Sequence, residues 1–332
     1  MWRLNIGLIF LLFFDQTAEL KKYRITGSAQ GTTYSIIYYA GDSVITKSQI
    51  DSILNKLDSS FSLYKPYSLI SRFNASQKGI RVDKHFINVL QKSFEAYKET
   101  NGLFDITVQP LVQAWGFGTK KIDSLPGKQY VSSLVKCVGS NMLELNGDFL
   151  SKKKPCVKID LNGIAQGYSV DVMANFLESS QVTNYLVELG GEIRVKGKKQ
   201  PSGEQMKIGI ESPNAMDFKS LSIQRIVTTD SGAITTSGSY RKFYENKGKK
   251  ITHIIDPRTG YPVQNELISV TVYARDAITA DAYDNALMLM GLKKAMAFIE
   301  QKRELAAYFI YRKNGKIVDT ASTRFQFVNS EK

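Results

Sequence analysis

The chain has 332 residues, 43% hydrophobic and 23% charged, enough to bury a full core as one large domain or two lobes, and this composition excludes a disordered protein. A formal net charge of +13 favours an anionic partner. The lysines nevertheless lie in short runs, KKY at 21, TKK at 119, KKK at 152 and KGKK at 247; with no long basic arm they read as solvated surface, and nucleic-acid binding is not expected.

At the amino terminus, MWRLNIGLIFLLFF at 1–14 carries one arginine and a short apolar run. That is the shape of an export signal and is shorter than a membrane span. No cysteine follows the run, so lipid attachment there is excluded, and Ala18 offers a cleavage point with an unfavourable Gln16 before it. Residues 1–20 are therefore read as a signal peptide or a retained short membrane anchor, ahead of one catalytic domain over 21–332. The expected location is the periplasm or the extracytoplasmic face of the inner membrane. Cys137 and Cys156 form no metal-binding pattern; pairing in an oxidising compartment and burial as free thiols are both open.

Residues 23–39, rich in β-branched and aromatic side chains and broken by Gly27 and Gly31, predict a glycine-interrupted strand or hairpin. Ile50, Ile53, Leu54 and Leu57 put a short helix over 48–57, followed by SSFSLYKPYSLISRFN at 59–74, a turn-rich connector. Phe86, Val89, Leu90, Phe94 and Tyr97 lie at helical spacing within 83–99, and Asn101-Gly102 stops that helix. After WGFG at 115–118 and a polar stretch, residues 157–161 read as a strand that leads through a glycine-containing turn into a helix. A strand pair surrounds Gly190-Gly191 over 184–195, and 206–211, 222–228 and 268–274 alternate like strands. Helices over 280–291 and 292–301 precede a closing hairpin that turns at Asn314-Gly315. Many antiparallel-looking strands with helices between them predict an α+β fold, with mixed, largely antiparallel sheets and packed helices. Without a linker or internal repeat, two lobes would be interleaved.

Several stretches carry chemistry. Asp281, Asp284 and Asn285 are three and four residues apart, so a helix presents them on one side. Three oxygen-bearing side chains suit a hard cation such as magnesium; a carboxylate near a helix start is also favourable against the dipole, which would suffice for Asp284. In DLNGIAQGYSVD at 160–171, Gly163 and Gly167 lack the dinucleotide-binding spacing. This turn either brings backbone amides to a phosphate or is a packing turn. Glu192 follows two glycines in a strand, where an acid is uncommon without a hydrogen-bond partner. Ser237 and Ser239 flank a glycine and could bind phosphate or form an ordinary turn. ITHIIDPRTGYP at 251–262 sets His253, one of two histidines, beside Asp256 and Arg258. Hydroxyls and glycine turns for phosphates, carboxylates for a cation and a titratable imidazole make up the inventory of phosphoryl transfer.

Eight blocks in order identify a resemblance: AQGTTY at 29–34, SSFSLYKPYSLISRFN at 59–74, NGLFDITVQPLVQAWGF at 101–117, DLNGIAQGYSVD at 160–171, ELGGEIRVKG at 188–197, TTSGSYRKF at 235–243, HIIDPRTGYP at 253–262 and TADAYDNALMLMG at 279–291. Over about residues 25–310 the chain resembles the FAD:protein FMN transferase family, also known from an older association with thiamine biosynthesis. The resemblance implies an enzyme that takes FAD and a divalent cation, usually magnesium, and cleaves the pyrophosphate. It then attaches FMN through a phosphodiester to a threonine or serine hydroxyl of an acceptor flavoprotein and releases AMP. The implied acceptor is extracytoplasmic and carries an Asp-x-Ser/Thr-Gly-Ala-Ser/Thr motif.

Carried onto this chain, the resemblance makes Asp281, Asn285 and the carbonyl of Ala165 the metal set. It makes His253 the group that helps deprotonate the acceptor hydroxyl, with Asp281 as the other catalytic residue. Gln30, Tyr64, Gln166, Glu192, Thr236, Ser237, Gly238 and His253 would line an FAD site between the lobes, and Asp256, Arg258 and Thr259 would shape it, Arg258 through an internal ion pair. Three residues depart from the family pattern: Gln166 stands where many members have lysine, Asn285 replaces a threonine, and Gln30 replaces a methionine. A magnesium-dependent FAD pyrophosphatase would use the same pocket, and a non-enzymatic periplasmic FAD carrier is the alternative without chemistry. DSGAIT at 230–235 imitates the acceptor motif, but its extra isoleucine breaks the spacing, so it reads as a structural strand and turn.

Overall fold

A computed structural model describes residues 19–213, 222–240, 242–246, 248–327 and 330–331. Apart from Glu19 and Leu20, the expected export segment lies outside the described residues. The chain enters on a hairpin, β1 (Lys21–Ala29) and β2 (Thr32–Ala40), whose turn uses Gln30 and Gly31 at φ of 52° and 76°. A cap by Thr46 and Gln49 then opens helix α1 (Lys47–Phe61). The connector expected over 59–74 contains a helix, α2 (Leu69–Ala75), capped by the Ser68 hydroxyl. At seven residues it is too short for an apolar period to reveal it. After β3 (Gly79–Arg81), α3 (Lys84–Glu99) follows the expected bounds, with Asp83 as its cap.

Two further short helices, α4 (Gln109–Ala114) and α5 (Lys128–Val135), occupy the stretch around WGFG and the polar excursion. A hairpin of β4 (Leu143–Asn146) and β5 (Phe149–Lys152) comes next, and a Cys137–Cys156 disulfide closes the region across a Cα–Cα distance of 5.6 Å. The strand expected over 157–161 does not form. That segment makes one isolated parallel bridge, Val108 to Lys158, while Val157, Ile159 and Leu161 are buried. In place of a ladder, the Asn74 side-chain amide bonds both the N–H and the C=O of Ile159, at 2.7 and 2.8 Å.

Helix α6 (Ala165–Ser179) leads to β6 (Asn184–Leu189), β7 (Glu192–Lys196), β8 (Met206–Glu211), β9 (Ile223–Thr229) and β10 (Ser231–Gly238). The small hairpin β11 (Phe243–Asn246) and β12 (Lys249–Thr252) precedes β13 (Leu267–Ala274), α7 (Ala277–Met290) and α8 (Leu292–Glu300). Strands β14 (Ala306–Lys313), β15 (Lys316–Ala321) and β16 (Ser330–Glu331) end the chain. DSGAIT belongs to β9, β10 and the turn joining them, as the strand reading expects.

Eight strands form one sheet in the order β1-β2-β6-β7-β10-β13-β14-β15, every neighbouring pair antiparallel. Packed helices and this antiparallel sheet make the fold α+β. The run LISVTVYA of β13 is covered on both faces, with Ser269 and Thr271 among its buried residues. Val270, Val272 and Ala274 join a core with α3 and α7, while Tyr273 on the other face packs towards Met206, Ile208, Ile210 and Val227 of the β8–β9 sheet. The helical side holds α6 against α7, and their first turns carry the chemistry of the next section.

Candidate active site

Two close helix contacts build the site. A Cβ on Gly167 would lie 2.4 Å from the Ala277 carbonyl oxygen and 2.7 Å from the Asp281 Cβ, so only glycine lets α6 approach α7 this closely. The Gly167 N–H, free at the start of α6, donates to Asp281 Oδ2 at 2.8 Å. One turn earlier, a Cβ on Gly163 would meet the Asn285 amide at 2.9 Å. The glycine turn therefore combines both readings of the sequence: it packs two helices, and it aims an N–H at a carboxylate.

The start of α7 is locked from behind. Buried Asp171 of α6 accepts the N–H groups of Ala277 and Ile278 at 3.0 and 2.8 Å and the Arg194 guanidinium at 2.9 Å. Helix α7 begins at Ala277, so Asp284 sits two turns in, too far from the end for the dipole to account for it. Its Oδ1 is buried without a hydrogen bond of good geometry, and the nearby Thr235 hydroxyl and Asn285 N–H only partly offset that burial. Burial, then Asp281 and Glu192 nearby, push the Asp284 carboxyl well above the usual range, and burial raises Asp281 as well.

These groups open onto a cleft of about 290 Å³. Eight of the expected residues line it together: Gln166, Glu192, Thr236, Ser237, Gly238, His253, Asp281 and Asn285. The Ser237 hydroxyl donates to Asn285 Oδ1 at 2.7 Å, tying β10 to α7. The Thr236 hydroxyl lies 2.8 Å from that of Thr271. At the Gly190 turn, with φ of 68°, a Cβ would crowd both the Gln166 amide nitrogen at 2.9 Å and a Glu192 carboxylate oxygen at 3.2 Å.

Three expected residues do not line the cleft. The Ala165 carbonyl accepts the Ser169 hydroxyl at 2.7 Å, and Ser169 in turn accepts the Gln30 amide at 2.8 Å, so Gln30 and Ala165 are linked through Ser169. Tyr64 is 75% exposed on the loop between α1 and α2.

His253 is half-buried at the cleft wall, edge-on to Phe117 at 6.2 Å between ring centroids. Its Nδ1 is 3.0 Å from the Lys242 carbonyl, which can only accept; Nδ1 therefore carries the proton and Nε2 is left as the basic nitrogen. Burial holds the imidazole below its ordinary pKa, opposed by the bond to the Lys242 carbonyl and aided by the Lys242 cation. The other histidine, His85, packs against Tyr168 outside the cleft. In the DPRTG turn, Arg258 bonds Asp256 through Nε and Nη2 at 3.1 and 2.9 Å, the expected internal pair, and Arg258 does not line the cleft.

Sequence patterns did not single out Asp105, Asp160, Phe117 or Lys242, which also line the cleft. Asp105 is buried beside Thr107 and Ser140, whose hydroxyls donate to it at 2.6 and 2.7 Å. The available signal was an acid inside the apolar run GLFDITV. Lys242 is the one lysine lining the cleft among the described residues, against the five carboxylic acids Asp105, Asp160, Glu192, Asp281 and Asp284.

Among the described residues there is no cluster of three or more His, Cys, Asp or Glu side chains arranged to hold a metal. A cation here would rely on a mixed donor set. Buried Asp281, Asp284 Oδ1 and the amide oxygen of Asn285 fit a hard, oxygen-seeking ion, because its charge would offset the burial that raises both carboxyls and the repulsion that Asp281 and Glu192 exert on Asp284.

The ApbE family profile matches residues 30–309. The FAD:protein FMN transferase of Vibrio cholerae is 35% identical over 327 residues, covering 96% of each chain. That of Haemophilus influenzae is 34% identical over 327 residues, covering 95% of this chain and 93% of the relative. The solved flavin transferase ApbE from Vibrio cholerae superposes with a TM-score of 0.84 at 33% identity, covering 93% of this chain and 99% of that one.

Proposed function

The chain belongs to the ApbE family and is an FAD:protein FMN transferase, and from that premise we propose how its cleft performs the transfer. FAD occupies the cleft between two interleaved lobes of one catalytic domain over residues 21–332, its pyrophosphate near Gln166, Ser237 and the first turns of α6 and α7. The acceptor is a threonine or serine hydroxyl of an extracytoplasmic flavoprotein carrying an Asp-x-Ser/Thr-Gly-Ala-Ser/Thr motif. His253 Nε2 takes the hydroxyl proton as the oxygen attacks the phosphorus of the FMN half. The bond to the AMP oxygen breaks, leaving FMN on the acceptor through a phosphodiester and AMP free.

Asp281 and Asn285, with Asp284 beside them and the Ala165 carbonyl as a further donor if the Ser169 hydroxyl releases it, would hold a divalent cation, magnesium by its preference for oxygen. Bound there, it would neutralise charge on the pyrophosphate oxygens. Gln166 offers neutral hydrogen bonding to the pyrophosphate, and Lys242 offers a positive charge. Gln30 and Tyr64 enter as flanking contacts to parts of FAD beyond the cleft. No helix among the described residues is long and apolar enough to cross a membrane; we assign export, and any membrane contact, to residues 1–20.

The observation that carries this reading is the convergence of His253, Gln166, Ser237, Asn285 and Asp281 on one cleft from four separate parts of the chain. The test is intact-mass measurement of a peptide carrying Asp-x-Thr-Gly-Ala-Thr after incubation with enzyme, FAD and magnesium. One FMN added per peptide, with equal AMP, is the expected result. AMP with unmodified peptide would replace transfer by FAD hydrolysis, and FAD binding without AMP would leave a carrier.

A further inference from the structure

A second groove, about 400 Å³ in volume, runs along the outside of the DPRTGYP turn. Tyr261 and Pro262 form part of one side, and Met290, Lys293 and Lys294 part of the other. It shares a wall with the cleft: Leu289 lines both, and the consecutive Asp256 and Pro257 face the groove and the cleft respectively. Along α7, Asp281, Asn285 and Leu289 recur every four residues on one face. At 1.5 Å rise per residue, the shared wall lies about 12 Å from Asp281, a distance that about four extended residues span.

The charges in the groove are unequal in availability. Asp256 is engaged by Arg258, and Glu266 accepts the Leu292 N–H at 2.8 Å. Lys293 and Lys294 are exposed, and neither has an ion-pair partner among the described residues. Beside them Tyr261 leaves 40% of its surface uncovered. The result is a mixed polar and apolar trough whose lining includes the Glu266 carboxylate and two exposed lysines that form no ion pair among the described residues, leading to the wall behind which His253 and Asp281 lie.

We propose that this groove docks the acceptor protein, taking an extended acidic segment within about four residues of the hydroxyl to be modified; this rests on the transferase reading above. Charge complementarity at such a rim acts on encounter and on salt sensitivity. The chemistry, and FAD itself, stay with the cleft.

The test uses the double variant K293E/K294E of the full protein and two peptides, one carrying Asp-x-Thr-Gly-Ala-Thr and one with that Asp replaced by Lys. FAD affinity is measured first, and the variant should match the wild type. At low ionic strength the variant's KM for the Asp peptide should then rise about tenfold, with kcat little changed. Added salt should weaken the wild type's use of that peptide and leave the variant's nearly flat, and the Lys peptide should regain part of the loss on the variant. An unchanged KM and salt dependence, with transfer intact, would overturn the groove and leave the transferase standing. No FMN adduct from the wild-type enzyme on either peptide would overturn both.

Discussion

Replacing Gly167 with alanine tests the central contact of the site, because propensity and packing predict opposite signs. Alanine in a helix interior is about 1 kcal/mol more favourable than glycine. At this position the added Cβ would lie 2.4 Å from the Ala277 carbonyl oxygen, whereas ordinary contact begins at 3.4 Å, so α6 and α7 must separate by about 1 Å. Overpacking of this kind costs about 1–3 kcal/mol. Stretching the Gly167 N–H bond to the Asp281 carboxylate removes about 1.5–3 kcal/mol more, since one partner is charged. Set against the propensity gain, the balance is a loss of about 1.5–5 kcal/mol. Urea unfolding should show this as a lower midpoint. The displacement of Asp281 should also slow AMP formation about a hundredfold, the usual consequence of a 1 Å misplacement. A G167A protein with wild-type or higher stability and normal turnover would refute the claim that this contact sets the carboxylate.

Burial depresses the His253 pKa, so the imidazole gives up its proton more readily than a free one; the transfer rate should rise with pH to a plateau whose midpoint lies below the ordinary imidazole value, and H253A should lose that limb and slow transfer more than it weakens FAD binding. Lys242→Gln removes the one described lysine of a cleft holding five carboxylic acids; its KM for FAD should rise about fivefold, consistent with the loss of a single partly exposed charge contact, and an unchanged KM would take Lys242 out of pyrophosphate binding. The Cys137–Cys156 bond closes a loop of sequence separation 19. Replacing both cysteines with serine should therefore lower stability by about 3 kcal/mol in denaturant unfolding, and no change would mean that packing alone holds the loop.

Much of this protein was legible in one dimension. The long helix α3 and the alternating strand β8 could be read directly, because one buried face imposes its period on the residues, whereas α7 and β13 are buried nearly all round and show no such single stripe. Short helices such as α2 and α4 could not, since six or seven residues complete too few turns to show a stripe. The 157–161 segment looked like a strand because its alternate residues are buried, yet at its centre the N–H and C=O of Ile159 are satisfied by the side chain of Asn74, 85 residues away.

By itself the sequence determined the family, the α+β class and the residue types the chemistry needs, because local period and ordered motifs survive without knowledge of contacts. Only the tertiary structure decided which of those residues share a cleft. It placed Gln166, Ser237, His253, Asp281 and Asn285 there, added Lys242 and Asp105, and kept Gln30, Ala165 and Tyr64 off its walls. Asp284 shows the same division: from spacing alone it could have been a helix-end charge, and the observed start of α7 made it a buried carboxylate two turns in, raised by its neighbours. Adjacency in space depends on how helices pack, and here that packing turns on a hydrogen atom in place of a methyl group at Gly167.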